Sequence, residues 1–240
     1  GGYDFVTLGN HDFNYGKEEL EKYISELDAR CLCANIDGIR GVEKTAIVTL
    51  QNGLRVGLAG VTTHYVKLWE KPENLAGIAV TDAFTAAKEA YDQLKAKADI
   101  TVCIYHGGFE RDVKTGKVLS DTDENQGWRI CEELGFDILL AGHQHTAAEN
   151  VRINGTYTCQ PPDKARQYIR MDVIVDGQIT AEQHLMDAGN VTQAKAKALL
   201  LPAEKQAAAW FDTPMGHLDT PLLPSRHIAM AANGSLIANF

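Results

Sequence analysis

Three apolar runs in this chain stop abruptly, and each is followed at once by glycine, histidine or asparagine: Leu8-Gly9-Asn10-His11-Asp12, Tyr105-His106-Gly107-Gly108 and Ala141-Gly142-His143-Gln144-His145. The runs have the length of buried strands, and amphipathic helical stretches lie between them. That alternation predicts an α/β fold. In open α/β sheets ligands bind beyond the carboxyl ends of the strands, so the three polar tips are expected to meet at one crevice.

The remaining elements follow from local signals. Residues 3–8 read as a buried strand, and 17–28, with Leu20, Tyr23, Ile24 and Leu27 on one face, as the helix after it. A second strand is expected at 31–35. Runs at 46–50 and 54–61 flank Gln51-Asn52-Gly53, where Asn-Gly suits a hairpin turn. A helix over 81–98 opens on Thr81 or Asp82 as its cap. Strands are expected at 100–105 and 137–141, with a helix around 126–134 between them, and Asn154-Gly155 and Asp176-Gly177 mark further hairpins. From Asn190 the composition shifts to Ala, Lys and Leu, which predicts a helix interrupted near Pro202. Residues 212–226, with Pro214, Pro221 and Pro224, read as a linker, and 228–240 is helix-like again.

A formal charge of -9 argues against a nucleic acid polymer as partner, because binding driven by counterion release needs a basic face. A small anionic substrate would instead be drawn in by something local and positive, and a bound metal ion is the usual device on an acidic protein. No stretch approaches the run of about 18 apolar residues that spans a bilayer, so no membrane partner is expected. The five cysteines, Cys31, Cys33, Cys103, Cys131 and Cys159, are odd in number and sit in apolar contexts, as buried free thiols do. They favour reduced, cytoplasmic surroundings slightly, while an upstream export signal would fit equally well with the rest of the chain.

One histidine at a strand end is ordinarily a hydrogen-bonded turn residue. Four histidines and an asparagine on three successive tips form a coherent set of ligands, because imidazole nitrogen and amide oxygen both suit borderline divalent metals. Glycines beside them let the backbone approach closely.

Gly9-Asn10-His11-Asp12, His106-Gly107-Gly108 and Gly142-His143-Gln144-His145, in that order, resemble the later motifs of the calcineurin-like metallophosphoesterases. The text of residues 3–16 and Glu124-Asn125-Gln126-Gly127 is similar to the bacterial branch that contains 5'-nucleotidases and 2',3'-cyclic-nucleotide phosphodiesterases. The likeness covers residues 1 to about 187, and the linker and last helix also match. It implies a metallophosphoesterase-type α/β/β/α sandwich: a catalytic domain over 1–189 lacking its first strands, a helix and linker over 190–226, and the start of a C-terminal nucleotide-binding domain over 227–240.

By that resemblance the protein hydrolyses nucleotide phosphate esters with two divalent metal ions, of which Zn, Mn, Mg and Fe are not distinguished. Asn10, His106 and His143 would bind one ion and His145 the other. His11 would be the catalytic histidine and Asn14 its orienting partner. Many 5'-nucleotidases carry aspartate at the position of Asn14, whereas relatives resembling cyclic-nucleotide phosphodiesterases often carry asparagine, and the choice between these substrates stays open. The Asp-x-His and Gly-Asp motifs that the family places earlier do not occur here. The chain is therefore expected to be a fragment with one weak metal site, low activity, and an exposed sheet edge open to self-association. The alternative is a non-catalytic metal-binding or association module; a protein phosphatase with the same metal chemistry is a third reading. His64 and the 109–123 loop are secondary candidates for the crevice wall, and His184, His217 and His227 read as surface residues.

Overall fold

The alternation of side chains along two strands explains most of the architecture. In the Ile100–His106 strand, Cys103 and Tyr105 point to one face and Ile100 and Val102 to the other, and all four are buried. In the Ile138–Ala141 strand, Leu139 and Ala141 repeat the first face and Ile138 the second. A strand buried on both faces needs covering layers on both, and the chain supplies two kinds.

A computed structural model describes residues 2–176, 178–187 and 194–214. In chain order the first half contains β1 (Phe5–Val6), α1 (Gly16–Ser25), β2 (Arg30–Leu32), β3 (Ile36–Asp37), β4 (Val42–Glu43), β5 (Thr45–Thr49), β6 (Arg55–Thr62), α2 (Val66–Trp69), β7 (Ala79–Val80) and α3 (Ala83–Leu94). There follow β8 (Ile100–His106), α4 (Gly127–Glu133), β9 (Ile138–Ala141), β10 (Ala148–Ile153), β11 (Thr156–Gln160), β12 (Gln167–Asp176), β13 (Gln178–Asp187) and α5 (Ala194–Phe211).

The central sheet has the order β10-β11-β9-β8-β6-β5. Its inner strands β11, β9, β8 and β6 are parallel, and antiparallel β10 and β5 close the two sides. Helices α3 and α4 cover one face through Ala87, Ala90, Leu94, Ile130 and Cys131. The β12–β13 hairpin covers the other, setting Met171, Val173, Val175 and Ile179 against Ile100, Val102 and Ile138. A second, parallel sheet of order β1-β2-β4 forms its own core with α1, through Leu8, Phe13, Leu20, Ile24 and Cys31. The two sheets approach where β2 passes β6: a side chain at Gly60 would collide with the Leu32 carbonyl, and Ala34 N–H donates to Gly60 O at 2.6 Å.

Several element boundaries differ from the sequence reading. The expected strand at 3–8 is reduced to Phe5–Val6, with Tyr3 exposed. The expected strand at 31–35 ends at Leu32 because Asn35 turns inward, fully buried, donating to Thr62 O at 2.8 Å and accepting from Thr62 N–H at 2.9 Å. Pro202 lies inside a continuous α5 where an interruption was expected. The alanine-rich stretch after it has high helix propensity and helps to offset the backbone hydrogen bond that proline forfeits. All five cysteines are buried free thiols. Burial pushes Cys31, Cys33, Cys131 and Cys159 up to about 12, so they are inert small hydrophobes.

The chain divides into two units, Gly1–Gly189 and Asn190–Phe240. The 215–226 part of the expected linker and the helix-like 228–240 lie outside the described residues, as do His217 and His227. Among the described residues no helix is long and apolar enough to cross a membrane.

Candidate active site

The first tip is a single turn of 3-10 helix, Asn10–Phe13, fastened at both ends. The Asp12 carboxylate accepts from Gly9 N–H at 2.7 Å, Asp12 N–H donates to Gly9 O at 3.2 Å, and Phe13 is fully buried beneath. Burial holds the Asp12 carboxyl above the usual range, against the opposing pull of the Gly9 N–H and His11. Asp12 thus shapes the loop. His11 Nδ1 stands 2.9 Å from Asn14 Oδ1 at the far end of the same turn.

The second tip is the end of β8. His106 Nε2 lies 2.9 Å from Asn10 Oδ1, joining residues 96 apart in sequence. Gly9 is required for that approach, since a Cβ there would fall 2.8 Å from His106 Cε1. Burial pulls the His106 pKa down to about 4, and His143, His11 and His145 depress it further. The imidazoles of all three tips therefore share one electrostatic neighbourhood, and His106 is neutral near pH 7, as a metal-ligating imidazole must be.

The third tip is clamped to the second. Gln144 Oε1 accepts from Phe109 N–H at 2.8 Å, and its Nε2 donates to Phe109 O at 2.9 Å. This two-point clamp holds His143 and His145 at φ of 75° and 56°, in the left-handed region that side chains usually avoid. The His143 ring lies 5.3 Å from that of His106 and stacks on Trp69 at 5.4 Å, and its Nε2 stands 3.1 Å from Glu124 Oε1. Glu124 is itself placed by a hydrogen bond from Thr63 Oγ1 to its carbonyl at 2.7 Å, and its neighbour Asn125 accepts from Gly108 N–H at 2.7 Å.

These groups border a cleft of about 320 Å³. Of the residues expected from sequence, Asn10, His11, Asn14 and His143 line it, and His106 bonds to Asn10 at its wall. His145 is exposed and does not line the cleft. Neither does His64, whose Nδ1 faces Asp82 Oδ2 at 3.6 Å. Trp69, Glu70 and Glu124 line it and had not been singled out. The Glu124-Asn125-Gln126-Gly127 string held a signal for the last of these; nothing in periodicity marked Trp69 and Glu70.

Among the described residues no three His, Cys, Asp or Glu side chains are arranged to hold a metal ion by themselves. A cation at the three tips thus depends on the Asn10 amide oxygen as third donor beside the His106 and His143 nitrogens. Two neutral imidazoles and one amide oxygen suit a borderline divalent ion such as zinc or manganese, so the donor set fits one.

The family model for calcineurin-like phosphoesterases matches residues 2–147, which span the three tips. The chain belongs to the calcineurin-like phosphoesterase family, a family of phosphoric ester hydrolases that generally use divalent metals. It is 32% identical over 159 residues to the trifunctional nucleotide phosphoesterase protein YfkN of Bacillus subtilis, covering 60% of this chain and 10% of that one. It is 27% identical over 157 residues to a 2',3'-cyclic-nucleotide 2'-phosphodiesterase/3'-nucleotidase of Salmonella typhimurium, covering 60% of this chain and 23% of the relative. A candidate 5'-nucleotidase from Staphylococcus aureus, solved in complex with alpha-ketoglutarate, superposes with a TM-score of 0.82 at 29% identity, over 94% of this chain and 46% of that one. The chain thus spans a quarter or less of the length of these two curated relatives.

Proposed function

We propose that this chain carries part of the catalytic site of a metal-dependent phosphoesterase acting on nucleotide phosphate esters, of 5'-nucleotidase or 2',3'-cyclic-nucleotide phosphodiesterase type. The observation that carries the proposal is the meeting of three distant segments at one cleft: Asn10, His11, Asn14 and His143 on its wall, with His106 bonded to Asn10. In this reading Asn10, His106 and His143 hold one divalent ion and His145 contributes to a second. Bound there, the ions supply positive charge that polarises the phosphate and a source of nucleophile at neutral pH.

The chain's own residues do the rest. His11 borders the cleft with Nδ1 taken up by Asn14, so Nε2 is the nitrogen left to give a proton to the departing ester oxygen. Trp69 stacks on His143 and keeps that ring from turning away. Glu124 Oε1, 3.1 Å away, holds His143 Nε2. The nucleotide-processing relatives support a small-molecule nucleotide as substrate.

The test is hydrolysis of bis-p-nitrophenyl phosphate and of AMP with and without added manganese or zinc, beside His11→Ala. Metal-stimulated turnover is expected, with kcat in the variant lower by about 10²- to 10⁴-fold, the usual worth of a positioned proton donor. Unchanged turnover in the variant would remove His11 from the mechanism.

A further inference from the structure

Behind His11 the cleft wall contains a hydrogen-bonded chain whose polarity is fixed at its far end. Asn14 Oδ1 faces His11 Nδ1 at 2.9 Å, and Asn14 Nδ2 donates to Glu70 Oε2 at 2.6 Å. The other oxygen, Glu70 Oε1, accepts from Lys71 N–H at 2.8 Å and from Asn74 Nδ2 at 2.8 Å. Asn74 Nδ2 also donates to Asn14 O at 2.8 Å, so the backbone that carries Asn14 is tied to the same carboxylate.

The direction of this chain follows from donor and acceptor counts. An ionised carboxylate only accepts, so the Asn14 amide must turn its NH₂ end to Glu70. The carbonyl end of the amide then faces His11, and a carbonyl only accepts, so the hydrogen must sit on Nδ1. Nε2 becomes the ring nitrogen available in the cleft. The hydrogen bonds from Lys71 N–H, Asn14 and Asn74 keep the Glu70 carboxyl below the usual carboxylate range, which maintains the ionised form on which this ordering depends.

We propose that Glu70 is a positioning residue for His11: acting through Asn14, it keeps a hydrogen on Nδ1, so that Nε2 is the nitrogen that takes up a proton from water and, from the doubly protonated ring, passes it to the leaving oxygen. Giving up the Nε2 proton returns the ring to the neutral Nδ1–H form, with the bond to Asn14 in place, and a proton from water restores the donor for the next turnover. An asparagine next to the ring has no preferred end of its own; the carboxylate beyond it chooses. The role of Glu70 rests on the reading of His11 as proton donor, but the tautomer of His11 does not.

Glu70→Gln keeps the shape and adds a donor at the end of the chain, so the Asn14 amide is free to reverse and present NH₂ to the ring. The expected result is a fall in kcat of about tenfold with KM little changed, since only the proton-transfer geometry is disturbed. Combining it with Asn14→Asp reverses both partners: the introduced carboxylate accepts from His11 Nδ1–H and from the introduced amide. This double variant is expected to recover most of the loss. Nitrogen-15 NMR of the His11 ring reads the tautomer without any turnover, and is expected to show Nδ1–H in the wild type and a shift toward Nε2–H in Glu70→Gln. If the wild type hydrolyses its substrate, His11→Ala abolishes this, and Glu70→Gln retains full kcat with no change of tautomer, the role of Glu70 is overturned while the phosphoesterase reading stands. If no hydrolysis occurs at all and the chain binds no zinc, the phosphoesterase reading fails. In that case an Nε2–H ring in the wild type, or the same tautomer in both proteins, overturns the relay separately.

Discussion

At the scale of single residues, the site depends on contacts that leave no space. A Cβ at Gly9 would sit 2.8 Å from His106 Cε1, closer than side-chain carbons approach one another. Gly9→Ala is expected to push the ring off Asn10 and weaken zinc binding by about 10- to 100-fold, as disturbing the support of a ligand does, with an unchanged far-UV circular dichroism spectrum. Calorimetric titration measures it. His106 also makes stability depend on pH. Its pKa is about 4 when folded and 6.5 ordinarily, so between those values the unfolded chain binds more protons. Stability is then complete above pH 6.5 and falls as pH drops to about 4, by on the order of 3 kcal/mol at most. Urea unfolding of chelator-treated protein across this range should show the loss, and His106→Gln should remove this part of it while leaving the carboxylate contributions. Asn10, His11, His106 and His143 were legible in the sequence because polar residues that interrupt apolar runs stand out, whereas Asn14 was marked only by the family resemblance. Trp69 and Glu70 were not legible, because no motif or periodicity marks them and they acquire meaning only when the chain brings them to the cleft.

At the scale of elements, side-chain clamps position the loops. Gln144 joins the tips of β9 and β8, and Gln126 ties α4 to α3 by donating to Asp82 Oδ2 at 2.9 Å and accepting from Phe84 N–H at 2.9 Å. Asp82 also caps α3, its Oδ1 accepting from Thr85 N–H at 2.8 Å. Asp82→Ala is expected to cost about 1–2 kcal/mol, a lost cap with a weakened inter-helix bond, read as a lower urea midpoint with an unchanged slope. The cap and the hairpin at Asn52-Gly53 were readable because each has a local cause: a carboxylate before an amphipathic run, and a glycine at φ 87° between alternating strands. The short β2 was not, since its end is set by Asn35 reaching across to β6, a tertiary bond with no local signature.

At the scale of the whole molecule, the sheet serves to bring tips that are about a hundred residues apart in sequence to one place. The parallel pairing of β6, β8 and β9 sends the ends of β8 and β9 to the same edge, and the small β1-β2-β4 sheet brings Asn10 against them. A cation shared by Asn10, His106 and His143 is the claim on which the functional reading depends. The most direct test is the zinc dissociation constant of the wild type beside Asn10→Ala, His106→Ala and His143→Ala, each checked for native circular dichroism. One ion per chain is expected at this site, with affinity reduced about tenfold or more in every variant, because removing any one of three donors leaves the ion under-coordinated. Wild-type affinity in all three folded variants would show that these tips hold no common ion and would contradict the account.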